Sequence, residues 1–136
     1  VTPSRMAEIH GACFTQPRPW SATELAALCA SPLCLVKSCD QGFAIARRAG
    51  PEAELLTIAV HPDARRKGKA RTLLSALLQE LRATGCEEIF LEVVEHNTAA
   101  IALYEAAGFG KLSYRKDYYR GPEGGTAAAL VMHKTL

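Results

Sequence analysis

The chain has 136 residues, 49% of them hydrophobic, and a formal net charge of +2 at pH 7. That length suits one domain over residues 1–136 that buries a core without staples, and leaves no room for a second. A charge this small, with the basic residues gathered in one loop and not spread along a face, argues against direct nucleic acid binding.

In chain order, Ser4 to about Phe14 reads as a first short helix, capped by Ser4, with Met6, Ile9 and Cys13 on one side. Pro17 and Pro19 break it. Ser21-Ala22-Thr23-Glu24 is a capping box, in which the Ser hydroxyl and the Glu carboxylate satisfy each other's backbone N–H groups, so a second helix should run to about Cys29. From Leu33 the pattern turns to strands. Leu33 to Ser38 and Phe43 to Arg48 flank Asp40-Gln41-Gly42, a hairpin signal, and Ala49-Gly50-Pro51 turns the chain into Glu54 to Val60. This is an antiparallel meander. A basic loop (HPDARRKGKAR) follows, then a helix with leucines at 73, 74, 77, 78 and 81 that Gly85 ends. Glu88 to Val94 forms the next strand, and the crossover makes it parallel to its predecessor. The change from hairpins to a crossover opens a cleft. Asn97 caps another helix, which Gly108 ends, and two closing strands, about Lys111 to Tyr119 and Ala127 to His133, are joined by the turn Gly121-Pro122-Glu123-Gly124-Gly125.

The stretch from Glu54 to Leu81 carries the first chemical signal. A strand delivers the chain to a basic, glycine-bearing turn that opens a helix, so free backbone N–H groups and the positive end of a helix dipole meet at one point. Such a turn binds phosphate. Arg65, Arg66, Lys67, Lys69 and Arg71 can neutralise a pyrophosphate while Gly68 lets the backbone approach it, which points to a phosphorylated cofactor. A Walker A loop does not fit, because Asp63 holds the first glycine position and Ala70 the hydroxyl position. A Rossmann fingerprint needs three spaced glycines, and only one is present.

Arg65-Arg66-Lys67-Gly68-Lys69-Ala70 resembles instead the Gln/Arg-x-x-Gly-x-Gly/Ala signature of the GCN5-related N-acetyltransferases, with Ile58-Ala59-Val60-His61-Pro62 as that family's usual lead-in. Leu91-Glu92-Val93, Asn97, Ala100-Ile101-Ala102-Leu103-Tyr104-Glu105 and Gly108-Phe109 resemble its ribosomal-protein-alanine N-acetyltransferase branch, as do Pro19-Trp20-Ser21 and the closing Arg115-Lys116-Asp117-Tyr118-Tyr119. The branch usually has glycine where Ala70 stands and an apolar residue in place of Lys69. Neither change removes an amide donor. The resemblance implies an α/β single-domain fold: a mixed, mostly antiparallel sheet of about six to seven strands flanked by about four helices, with a splayed parallel pair forming the acetyl-CoA cleft. It implies acetyl-CoA as co-substrate, held by the 65–71 turn, by Asn97 and by backbone near Ile58, Ala59 and Val60, with Glu92 as general base and Tyr104 as general acid. In that fold the first two helices line one side of the acceptor site, so specificity is expected between Phe14 and Trp20.

The chemistry asks for those residue types. A free amine must attack a thioester, an oxyanion must be stabilised, and the departing thiolate benefits from a proton. Glu92 alternates with Phe90 and Val94, so partial desolvation is expected to raise its pKa toward the range of a base. Tyr104 lies one to two turns inside a capped helix. Set apart from the resemblance, Glu92 also reads as a strand carboxylate paired with an arginine, and Tyr104 as a core-edge phenol. An α-amine must lose about one pKa unit of proton affinity at pH 7, roughly 1.4 kcal/mol, against over roughly 4 kcal/mol for lysine. This favours an α-amine over a lysine without excluding lysine; the resemblance implies a protein N-terminus, that of a ribosomal protein included, with the same chemistry on a lysine side chain or a small amine as the alternative. A non-catalytic acetyl-CoA-binding module would not need Glu92 and Tyr104 together.

Cys13, Cys29, Cys34, Cys39 and Cys86 are odd in number and lack Cys-x-x-Cys spacing, so they are expected as reduced thiols. His10, His61, His96 and His133 are scattered, and no metal is expected. With no signal pattern and no apolar run near the roughly 18 residues of a membrane span, the expectation is a soluble cytoplasmic protein, monomeric or weakly dimeric.

Overall fold

A computed structural model describes residues 1–14, 19–120 and 125–136, with the side chains of 117–120 also outside the description. The elements run α1 (Pro3–Cys13), α2 (Ala22–Ala30), β1 (Cys34–Cys39), β2 (Gly42–Ala49), β3 (Glu52–Val60), α3 (Lys69–Ala83), β4 (Glu88–Val94), α4 (Thr98–Ala106), β5 (Gly110–Arg120) and β6 (Thr126–Thr135), with a 3₁₀ turn at Pro62–Ala64. The predicted turn after β5 lies outside the described residues as far as Gly124, and so does Pro17. The cap of α1 is Thr2 and not Ser4. Pro3 takes the first helical position, where its fixed φ suits and its missing N–H is not needed, so the capping hydroxyl lies ahead of it and accepts from Arg5 N–H at 3.1 Å. The capping box of α2 forms as read, with Ser21 Oγ accepting from Glu24 N–H at 3.1 Å and Glu24 Oε1 accepting from Ser21 N–H at 3.2 Å.

The six strands form one mixed sheet in the order β1-β2-β3-β4-β6-β5. Among the described residues, only β3 and β4 pair in parallel. One face carries α3 and α4: Leu73, Leu74, Leu77, Leu78 and Leu81 are all buried there against Ala44, Ala46, Ala53, Leu55, Ile89, Leu91 and Val93. Each such leucine contributes roughly 1.5–3 kcal/mol of burial. The other face receives Met6 and Ile9 of α1 and Leu25 of α2 onto Phe43, Ile45 and Ala59. That helix pair packs on β1, β2 and β3.

Two irregularities shape the middle of the sheet. β2 and β3 pair as far as Ile45↔Thr57 and resume at Ala46↔Leu55, so Leu56 is an extra residue that bulges β3. The parallel ladder holds only at Glu52↔Glu88, Ala53↔Ile89 and Glu54↔Phe90. Beyond it, residues 55–60 of β3 and 91–94 of β4 run on with no ladder between them, while β6 keeps β4 paired on its other side from Glu88↔Thr135 to Val94↔Ala129. The sheet therefore opens like a V at the expected place.

Candidate functional site

At the mouth of this opening the chain passes from Val60 to Gly68, whose φ of +72° is the left-handed conformation that glycine adopts without strain. Thr2, Ser21 and Asn97 cap their helices with side chains, but α3 starts at Gly68 with no side-chain cap. The N–H groups of Lys69, Ala70 and Arg71 are left as donors at the positive end of a 15-residue helix. A Cβ on Gly68 would meet no atom within 4 Å, so the space above it is open to a ligand. Arg66, with φ +66°, is the one described non-glycine residue in the left-handed region, a strain of roughly 1–2 kcal/mol held in the turn.

The basic side chains of the turn divide their tasks. Arg66 and Lys67 are exposed. Lys69 leans toward Asp40 in the β1–β2 turn, Nζ to Oδ1 3.9 Å. Arg65 folds back, its Nε donating to the Val60 carbonyl at 3.3 Å and its Nη2 lying 3.4 Å from Cys13 Sγ, so it braces the turn against β3 and α1. Arg71 lines a cavity of about 640 Å³ between α3 and α4 that also holds Arg82 and Lys134. Glu92 and Tyr104 are not among its walls.

The remaining candidates surround the opening. Ile58, Ala59 and Val60 lie on the part of β3 that pairs with β2 but has no ladder to β4. Asn97 follows β4, and its Oδ1 accepts from Ala100 N–H at 3.2 Å, which leaves the amide NH₂ as a donor. Glu92 projects from β4 on the face away from α3, where it helps line a pocket of about 310 Å³ with Phe90, Arg47 and Glu54. Glu92 is only partly covered, its side chain 30% exposed with Oε1 3.5 Å from Arg115 Nη1, because α1 and α2 cover the β1–β3 half of that face and Glu92 stands on β4. Tyr104 belongs to the opposite face, 7% exposed among Leu91 and Val93, with its ring 5.8 Å from that of Phe109. Burial pushes its phenol pKa well up. Glu92 and Tyr104 thus lie on opposite faces of the sheet.

A donor turn at a helix N-terminus and a strand edge with no ladder on its β4 side lie together, with Glu92 and Tyr104 on the two faces of the sheet. The family model described as Acetyltransferase (GNAT) family matches residues 4–109. The chain belongs to that family. In this GNAT chain the similarity to a ribosomal protein bS18-alanine N-acetyltransferase of Haemophilus ducreyi is 40% identity over 90 residues, 66% of this chain and 62% of that protein. The enzyme of that name in Escherichia coli K12 is 43% identical over 89 residues, 65% of this chain and 60% of that protein. The matches therefore span less than two thirds of the length of these curated relatives. The crystal structure of the ribosomal-protein-S18-alanine N-acetyltransferase from Escherichia coli superposes with a TM-score of 0.82 at 34% identity, covering 95% of this chain and 84% of that one.

Three features of this GNAT site escape a reading by motif. Arg115 meets Glu92 across β6, a pairing that only the strand order creates. The Arg65–Cys13 contact joins residues 52 positions apart. His10 is buried with Thr57, and these two are the buried polar residues of the described core. A signal for His10 exists, since it completes the apolar side of α1 with Met6, Ile9 and Cys13.

Proposed function

We propose that this chain, as one soluble cytoplasmic domain, transfers the acetyl group of acetyl-CoA to the N-terminal α-amine of a protein, with the N-terminal alanine of a ribosomal protein as acceptor. The observation that carries this reading is the mouth of the V: an uncapped α3 N-terminus with open space above Gly68 suits a pyrophosphate, and the unladdered edge of β3 offers hydrogen-bonding groups to an extended carrier arm. The kinship with enzymes named for ribosomal protein alanine supports the acceptor class.

In the reaction, pyrophosphate sits on the N–H groups of residues 69–71, assisted by Arg66 and Lys67, and the Asn97 amide donates to the carrier arm. The thioester lies between β3 and β4 with its carbonyl oxygen toward the β3 edge. Glu92, directly or through a water, takes a proton from the acceptor ammonium. The freed amine attacks the carbonyl carbon and a C–N bond forms; the nitrogen then gives its second proton to solvent water, and the C–S bond breaks as the oxyanion collapses. Tyr104 donates a hydrogen bond to the departing sulfur. Full transfer of its proton would leave a phenolate among apolar side chains, which its burial opposes, so the phenol shares its proton and the thiolate leaves stabilised. No acyl-enzyme forms.

Mass spectrometry of short peptides with varied first residues, incubated with acetyl-CoA, tests the proposal. The expected product is one acetyl group on the α-amine of alanine-first peptides, and none when that amine is blocked. Acetylation of lysine side chains alone, or of no peptide, would overturn it.

A further inference from the structure

His10 sits at the meeting point of three parts of the chain. Its Nδ1 accepts the Trp20 N–H at 3.1 Å, its Nε2 lies 3.1 Å from Thr57 Oγ1, and the ring is stacked on Trp20 at 5.0 Å and tilted against Phe14 at 4.4 Å. A backbone N–H can only donate, so Nδ1 carries no proton, and in the neutral ring Nε2–H then donates to the threonine hydroxyl. Burial pushes the imidazole pKa down to about 4, while Glu24 of α2 pulls the other way, so the ring is neutral at pH 7. One side chain thus gathers both ends of the Phe14–Trp20 connection and ties them to β3.

The place on β3 gives this tie a use. Thr57 follows the bulge at Leu56 and lies on the part of β3 that has left β4, where the V opens. The layer of α1 and α2 covers β1–β3 on the same face that presents Glu92 from β4. Its border therefore runs along the lip of the opening on the side from which an amine reaches Glu92. Phe14 and Trp20 are half-buried at that border, so each keeps ring surface for contact.

We infer that His10 is a positioning residue for the acceptor: it sets Phe14 and Trp20 against the bulged lip of β3 as the wall along which the incoming N-terminus lies. This rests on the acetyltransferase reading above. The cofactor side, on the other face and at the α3 turn, does not depend on it.

The test uses the full chain, acetyl-CoA and an alanine-first peptide. His10→Ala should raise the peptide KM on the order of tenfold, the effect of losing about one hydrogen bond's worth of alignment, with the acetyl-CoA KM changed less than about twofold. His10→Asn keeps an acceptor near the Nδ1 position for the Trp20 N–H, and should recover most of the peptide KM. His10→Gln places its amide nearer the Nε2 position and should recover less. If His10→Ala does not fold, the Asn and Gln pair carries the comparison. Equal loss for both substrates, or a lower melting temperature with the peptide KM unmoved, would overturn the inference and leave His10 a core residue. A wild-type chain that acetylates no peptide would overturn the acetyltransferase reading first, and this inference with it.

Discussion

Glu92 and Tyr104 approach the V from opposite faces, so their contributions should separate. Glu92→Gln is expected to keep acetyl-CoA affinity and lower kcat by roughly 10² to 10⁴, the usual worth of general-base help, and calorimetry beside steady-state rates checks both halves. Tyr104→Phe should also spare binding, but its loss should shrink with a thioester of a more acidic thiol; an equal loss with both donors would make Tyr104 a positioning group only. His10 yields a stability prediction. Its pKa is depressed in the folded chain, so its neutral form adds nothing above the ordinary 6.5, and stability falls as pH drops from there toward about 4, by about 3 kcal/mol in all. Melting curves across that window should show a slope that His10→Asn removes. At this scale the resemblance to the family, carried by a run of residues close in sequence, marked Glu92, Asn97 and Tyr104 as candidates. Arg115 and the His10–Thr57 pair were not legible, because each depends on contacts across strands that no local pattern encodes.

The elements were legible wherever a short-range rule decides them: the capping box at Ser21, the left-handed ends at Gly85 and Gly108, and the leucine face of α3. The cap of α1 was misread because Pro3 outranks Ser4 in fixing the first helical position. Leu56 gives no signal as a bulge, since an extra residue exists only relative to a partner strand. Two helix starts can be tested directly. Asn97 both caps α4 and holds an amide toward the opening, so Asn97→Asp should keep stability, being an equally good cap, yet weaken acetyl-CoA binding, whereas Asn97→Ala should lose both and cost about 1 kcal/mol. Thermal melts and acetyl-CoA titration of the two variants separate the roles. At α3, Gly68→Val is expected to abolish binding. The branched Cβ would occupy the open space above the turn, and its φ of +72° strains any side chain there by roughly 1–2 kcal/mol. Full affinity in a folded Gly68→Val would remove the cofactor from this turn.

For the molecule as a whole, the meander, the crossover and the closing hairpin followed from turn chemistry and connection length, but the place of β6 did not. β6 lies inside the sheet because Leu130 and Met132 turn toward the α3 face, while β5, exposed from Gly110 through Lys116, suits an edge. That order leaves each wall of the V paired on its outer side only, a bulged β3 along β2 and a β4 along β6, with no ladder between residues 55–60 of β3 and β4. A carrier arm laid into the V would supply the missing ladder to β3. Acetyl-CoA at about a hundred times its Kd should then stabilise the fold by about 2.7 kcal/mol, through binding to the native state alone. The gain should be local as well as global. Hydrogen exchange should slow at the amides of residues 56–60 and 69–71, while the β1–β2 hairpin beyond the V changes only by the global increment. If the cofactor slows exchange at 69–71 but leaves 56–60 at their free rates, the arm does not enter the V. The thioester then cannot reach Glu92, and the catalytic assignment fails even though the phosphate turn stands.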